Sequence, residues 1–139
     1  MYDEYSDGIQ ITQSQESILH LLHVSMIISN LEKSAYFYEH ILDLKPDERP
    51  DLGFRGLFYK LGNKQQLHLM CVNNPYQNCE KPKHGGRDFH IALGVNSIQE
   101  TCEKMDQANI SYTLSRSGRS ALFCHDPDGN AIELCEVKS

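Results

Sequence analysis

Nowhere in this chain of 139 residues does an apolar run approach the ~18 residues that a membrane-spanning helix requires, and no basic or apolar leader opens it. These absences lead us to expect a soluble, cytoplasmic protein. The five cysteines, at positions 71, 79, 102, 124 and 135, are odd in number and form no C-x-x-C pair. That pattern argues against a disulfide framework and against a thiolate zinc site, and leaves reduced, mostly buried thiols as the expectation. No basic stripe and no alternation of basic with aromatic residues is present, so nucleic acid is not an expected partner. Positive charge is scarce overall, 13 Lys and Arg against 19 Asp and Glu, for a net charge of −6. Much of that excess is local: Asp3, Glu4, Asp7 and Glu16 have no Lys or Arg among them, and the other 123 residues carry only −2. Residues 1–17, polar and with only Ile9 and Ile11 in apolar alternation, are expected to form a flexible acidic arm.

What remains, residues 18–139, is one ordinary domain, and a chain of this length buries about 68% of its unfolded surface without a covalent staple. Within that domain the sequence repeats itself. Residues 21–33 (LLHVSMIISNLEK) return 67 positions later as residues 88–100 (DFHIALGVNSIQE), with His23 on His90, Val24 on Ile91 and Leu31 on Ile98. In each copy, apolar residues alternate with polar or small ones at period two: Leu22, Val24, Met26 and Ile28 against His23 and Ser25, then Phe89, Ile91, Leu93 and Val95 against His90, Ala92 and Gly94. Each histidine therefore points away from the apolar face of its strand. Ser29 and Asn96 are each followed three places on by Glu32 and Gln99, a helix-start signature.

In chain order, the pattern predicts a strand near 19–29 and a helix near 31–43 with the stripe Leu31, Ala35, Tyr38 and Ile41. A proline-broken loop or short edge strand follows at 45–50. Then comes a hairpin, 54–61 and 65–72, around Gly62-Asn63-Lys64, residue types that tolerate positive φ. Residues 73–87, with two prolines and a Gly pair, connect the copies. The second copy predicts a strand over 88–95, a helix near 97–109 with the stripe Ile98, Cys102, Met105 and Ala108, a short strand at 112–115, and a hairpin, 119–125 and 131–137, around Asp126-Pro127-Asp128-Gly129-Asn130. In the hairpins the spacing is 65: Leu57-Phe58 falls on Leu122-Phe123, and Leu67-His68-Leu69 on Ile132-Glu133-Leu134. The fold class is thus α+β, two βαβββ modules (18–72 and 88–137, linked by 73–87) expected to curl into a partly closed sheet with helices outside.

Four polar positions are related by the repeat: His23, His68, His90 and Glu133. One histidine on a strand is more often a hydrogen-bonded structural residue than a ligand. Four on equivalent strand positions, converging on the middle of a pseudo-two-fold sheet, point to a metal site. Three imidazoles and one carboxylate suit Zn, Ni, Co, Mn or Fe, and suit Ca or Mg poorly, since those prefer all-oxygen shells. His20, His40, His84 and His125 lack such equivalence and read as surface or loop residues. Ser25, Met70, Ala92 and Cys135, two residues from the four candidates, would form a small mixed lining.

The paired modules, the His-Val-Ser strand ahead of Leu-Glu-Lys-Ser, and the closing Asp-Pro-Asp-Gly-Asn-Ala-Ile-Glu-Leu resemble the vicinal oxygen chelate superfamily over residues 19–137. That superfamily includes glyoxalase I, extradiol dioxygenases, methylmalonyl-CoA epimerase, and fosfomycin and bleomycin resistance proteins. The resemblance implies that His23, His90 and Glu133 match ligands shared by most members. His68 matches the fourth position, where lactoylglutathione lyases usually carry Glu and the epimerase Gln. In the lyases that Glu takes part in proton transfer, so the histidine is a departure; an imidazole can still bind metal or act as a base near neutral pH. The site would carry net charge +1 instead of 0, which favours an anionic oxygen pair.

The expected activity is a lyase or isomerase of glyoxalase type, with a divalent metal as Lewis acid and His68 or Glu133 as the catalytic proton carrier. Arg87, Arg116 and Arg119 lie in or beside loops and would clamp a carboxylate or phosphate of a small-molecule substrate, unless they are simply solvated. Two alternatives stand beside it. One is an Fe or Mn extradiol-type dioxygenase using His23, His90 and Glu133 as a 2-His-1-carboxylate triad with His68 outside it. The other is an antibiotic-binding resistance protein without turnover. A homodimer is expected, because two-module members of the superfamily commonly pair modules across subunits and closed two-fold dimers are the commonest oligomer.

Overall fold

The computed structural model describes residues 17–138, so the expected acidic arm lies almost wholly outside the described residues. Strand β1 spans His23–Ile28 and leads into helix α1, Leu31–Ala35, which continues as a π-helical segment over Tyr36–Ile41. Three strands follow: β2 (Lys45–Pro46), β3 (Gly56–Lys60) and β4 (Gln66–Cys71). The second series is β5 (His90–Val95), helix α2 (Ile98–Gln107), β6 (Thr113–Leu114), β7 (Ala121–His125) and β8 (Ala131–Glu136). Each series makes its own four-stranded sheet, ordered β1-β4-β3-β2 and β5-β8-β7-β6. The first and last strands of each module run parallel, and the hairpins run antiparallel.

The registers carry the repeat seen in the sequence. In the first sheet Ser25 lies beside His68 on β4, and Phe58 on β3 is directly opposite His68. In the second, Ala92 lies beside Glu133 and Phe123 opposite it. Each β1–β4 and β3–β4 pair is the image of a β5–β8 or β7–β8 pair, so the period-two alternation sends His23 and His68 to one face, and Glu133 with His90 to the corresponding face. The opposite faces share one core. Tyr59, Leu67 and Leu69 from the first sheet and Leu122, Cys124, Ile132 and Leu134 from the second meet Phe37, Tyr38, Ile41 and Met105 from the helices.

The helix starts differ slightly from the expectation. The capping side chains are Asn30, accepting from the Lys33 N–H at 2.9 Å, and Ser97, accepting from Glu100 N–H at 3.2 Å. Ser29 instead donates through its backbone N–H and its hydroxyl to the Asp128 carboxylate, at 3.1 and 2.6 Å, tying β1 to the turn before β8. The first helix also departs from regular winding: the Leu42 N–H reaches back to the Phe37 carbonyl at 3.0 Å. That π-turn buries Phe37, Tyr38 and Ile41 and points the Tyr38 hydroxyl at the buried Asp126 carboxylate, 2.7 Å away. Positive φ at Asn63 and Lys64 (58° and 62°) bears out the turn between β3 and β4. Among the described residues no helix is long and apolar enough to cross a membrane.

Candidate functional site

The repeat-related residues come together as two pairs, one per sheet. On the first sheet the His23 and His68 rings stack at 4.0 Å between centroids, 16° from parallel. Phe58 covers the other side of His68 at 3.5 Å and 2°. The result is a column of three flat rings on adjacent strands. Beyond it, the Arg49 guanidinium lies 5.1 Å from the centre of the Phe54 ring and 5.8 Å from that of Phe58, and donates to the Phe54 carbonyl at 2.8 Å. Burial, followed by the His23 and Arg49 charges, lowers the proton affinity of His68 below its ordinary value. One ring nitrogen of His68, Nε2, lies 2.8 Å from the Gln66 side-chain oxygen, and the Gln66 amide in turn donates to Asp47 at 2.8 Å.

On the second sheet His90 Nε2 lies 3.3 Å from Glu133 Oε1, and Arg119 Nη2 lies 3.1 Å from Glu133 Oε2. Glu133 is only 4% exposed. The turn Gly85–Arg87 packs against the same sheet, and its first glycine has little room for a side chain: a Cβ there would approach the Cβ atoms of Ala131 and Phe123 to 3.3 Å. The Gly pair, which the sequence marks as part of the connection between the copies, thus lets that connection lie close on β7 and β8. His84, expected at the surface or in a loop, lies in the connecting loop and is half-buried at the same turn, accepting from the Gly86 N–H at 3.0 Å and resting 4.9 Å from the Phe123 ring. Its signal in the sequence was its place directly ahead of that Gly pair. Phe123 also meets His90 edge-on at 5.4 Å, so the phenylalanines at repeat-equivalent positions line both pairs.

The second pair has the donor set a cation would fill. His90 Nδ1 lies 2.9 Å from the Asp88 carbonyl, which can only accept, so Nδ1 carries the proton of the neutral ring and Nε2 presents its lone pair to Glu133. Two acceptors facing each other need a proton or a metal ion between them. Glu133 Oε2 is buried without a hydrogen-bond partner, its approach to Arg119 being an ion pair without hydrogen-bond geometry. A buried carboxylate with one oxygen facing an imidazole nitrogen and the other without a hydrogen-bond partner offers donors of the kind a divalent ion takes.

The expected convergence of all four residues does not occur within one chain. Among the described residues no three His, Cys, Asp or Glu side chains approach closely enough to hold one metal ion, and the sheets are not hydrogen-bonded to each other. The physical reason is that β1 and β5 are edge strands of separate sheets. Between them runs a cleft of about 530 Å³, lined by Ser25, Met70, Tyr76, Lys81 and His90 among others. Arg87, Arg116 and Arg119, the expected substrate-binding residues, all border a second cavity of about 370 Å³ beside Phe123. Among the described residues Arg87 and Arg116 have no ion-pair partner, whereas Arg119 is engaged with Glu133. Of the lining residues, Cys135 is half-buried with a free thiol.

Two βαβββ modules in open sheets, with polar residues on matching strands, define an α+β protein of glyoxalase-like architecture. Residues 20–134 match the Glyoxalase/Bleomycin resistance protein/Dioxygenase superfamily, and the chain belongs to it. It is 32% identical over 125 residues to Glyoxylase I 4 of Arabidopsis thaliana, covering 86% of this chain and 71% of that one. It is 29% identical over 130 residues to the lactoylglutathione lyase of Haemophilus influenzae, covering 87% of this chain and 95% of the relative. The crystal structure of a glyoxalase family protein from Bacillus anthracis superposes with a TM-score of 0.71 at 22% identity, covering 89% of this chain and 99% of that one.

Proposed function

We propose that the chain is a divalent-metal-dependent enzyme of glyoxalase type, a lyase or isomerase acting on a small anionic substrate with vicinal oxygens. The observation that carries this reading is the buried Glu133 carboxylate, whose Oε1 faces His90 Nε2 and whose Oε2 has no hydrogen-bond partner, with the His23–His68 pair at the repeat-equivalent positions of the other sheet. His23, His68, His90 and Glu133 would hold the ion, drawn from Zn, Ni, Co, Mn or Fe by the three-nitrogen, one-oxygen donor set. Such an ion supplies Lewis acidity for a developing enolate or alkoxide. His68, whose lowered proton affinity keeps it neutral at pH 7, or Glu133 moves the proton at the substrate carbon. Phe58 and Phe123 keep water from the reacting face, and Arg87, Arg116 and Arg119 hold a carboxylate or phosphate of the substrate.

Because each chain offers two incomplete sites, the proposal includes a homodimer, cytoplasmic in keeping with its free thiols, in which the first pair of one copy meets the second pair of the other. The engagement of His68 Nε2 by Gln66 favours one second reading, an Fe or Mn dioxygenase in which His23, His90 and Glu133 bind the metal and His68 stands outside. Elemental analysis of protein purified without added metal, followed by assays with hemithioacetals, acyl-CoA thioesters and, aerobically with Fe(II), catechols, tests both. Turnover of a hemithioacetal or thioester supports the lyase or isomerase, and ring cleavage supports the dioxygenase. Metal binding with no turnover of any of the three, and a small anionic ligand bound unchanged, would leave the antibiotic-binding protein.

A further inference from the structure

The side chains that hold His68 have counterparts nowhere in the second module. Asp47 is pinned to β3 by its own N–H, which donates to the Phe58 carbonyl at 2.8 Å, so its carboxylate lies beside the first sheet's polar face. One carboxylate oxygen accepts the Glu48 N–H at 2.9 Å and the other accepts from Gln66 Nε2 at 2.8 Å. A carboxylate has no hydrogen to give at neutral pH, so the nitrogen of the Gln66 amide must face Asp47 and its oxygen must face away. That oxygen lies 2.8 Å from His68 Nε2. An amide oxygen can only accept. The hydrogen between them therefore belongs to the imidazole, and reversing the amide would set two oxygens 2.8 Å apart with no proton to share.

We infer that Gln66 and Asp47 are positioning residues that lock His68 as its Nε2–H tautomer, leaving Nδ1 as the one imidazole atom free to bind a cation or take a proton. The stacked rings of Phe58 and His23 on either face of His68 oppose rotation of the imidazole out of this arrangement. Arg49, the remaining charged neighbour, carries only donors and cannot accept a proton from the ring. The repeat explains why the relay exists in one module only. Where the first sheet has Gln66 and His68, the second has Ala131 and Glu133, and a carboxylate has no tautomer to set. His90 is oriented by other means, its Nδ1–H held by the Asp88 carbonyl so that Nε2 faces Glu133 Oε1. The two modules thus present opposite imidazole nitrogens, one chosen by a side-chain relay and one by the backbone.

This inference rests on His68 having the metal or proton role proposed above, but its test does not. The tautomer is read on the full-length, metal-free, ¹⁵N-labelled protein at pH 9 from long-range ¹H–¹⁵N correlations, with His68 assigned by its loss in His68→Gln. The wild type should show His68 protonated at Nε2 alone. Gln66→Leu and Asp47→Ala should each admit the Nδ1–H form, whereas Gln66→Glu combined with Asp47→Asn, in which the new amide donates to the new carboxylate and that carboxylate still accepts from Nε2–H, should keep the wild-type pattern. With zinc added, Gln66→Leu should bind about 10- to 100-fold more weakly than the wild type, and the exchanged pair should not share that loss. A wild-type His68 protonated at Nδ1 overturns the inference, as does an unchanged tautomer in both Gln66→Leu and Asp47→Ala. Should Gln66→Leu fail to fold, Asp47→Ala, altered in a loop, carries the comparison alone. If the wild type binds no zinc, the proposed metal function fails while the tautomer result stands or falls separately.

Discussion

The hydrogen bond from Tyr38 to Asp126 joins the first helix to the turn that precedes Glu133, and removing it should weaken the whole fold by a calculable amount. Tyr38 is 0% exposed and Asp126 5%, and the bond is 2.7 Å long. Asp126 also accepts from the Asp128 and Asn130 N–H groups and the Asn130 side-chain amide, each at 2.9 Å. Tyr38→Phe keeps the ring and opens no cavity, and it leaves the carboxylate three donors. The loss is then one charge-assisted hydrogen bond, about 1.5–3 kcal/mol, or a fall in Tm of roughly 5–10 °C for a domain of this size.

A pH dependence accompanies that loss. Burial first, and then the Asp126 charge and hydrogen bond, raise the Tyr38 pKa well above its ordinary value. A raised pKa means stability that is complete below the unfolded value of about 10 and is lost as the pH climbs beyond it, because the unfolded chain releases the proton first. The gap between wild type and Tyr38→Phe should therefore narrow by roughly 1.4 kcal/mol per pH unit above pH 10. Urea denaturation of both proteins from pH 8 to 11 measures this. A variant as stable as the wild type at pH 8, or a gap that widens on the alkaline side, would refute the reasoning.

Three further outcomes follow from the same geometry. Glu133→Gln should abolish metal binding and any turnover together, whereas His68→Gln should retain metal and lower kcat by about 10²- to 10⁴-fold if His68 is the base, as titration calorimetry and steady-state kinetics would show. Static light scattering at micromolar concentration should give the mass of a dimer, and a monomer mass would remove the proposed joining of the two pairs. Burial, and secondarily the Asp126 charge, push the Cys124 thiol up to about 12, so iodoacetamide at pH 8 should modify the exposed Cys79 and spare Cys124 in the native protein, as peptide mass mapping would report.

Much of this architecture was legible because a strand's period of two and a repeat's fixed spacing are local properties. The alternation around His23 and His90 fixed which face each imidazole takes, and the spacing of 65 in the hairpins set Glu133 on the position of His68; the structure then puts Phe123 opposite the one and Phe58 opposite the other. The ring neighbours could have been named from that same spacing. Other features depend on partners distant in sequence. The stripe Leu31, Ala35, Tyr38 and Ile41 reads as an ordinary helix; its π-turn accompanies contacts made elsewhere, Tyr38 with Asp126 and Glu39 with the Tyr59 hydroxyl at 2.8 Å. Nothing near Arg119 announces that Glu133 lies 3.1 Å away, nor does Gln66 announce Asp47. The separation of the two pairs was the least accessible feature, because it depends on how two sheets with free edge strands sit against each other and not on any pattern within a strand.

Whether both pairs serve one ion is tested most directly by a crystal structure of the protein loaded with zinc or nickel. At least three of His23, His68, His90 and Glu133 should lie within ~2.0–2.3 Å of a single ion, with His23 and His90 contributed by different copies of the chain. A metal-loaded structure in which the His23–His68 and His90–Glu133 pairs remain apart would contradict the shared site.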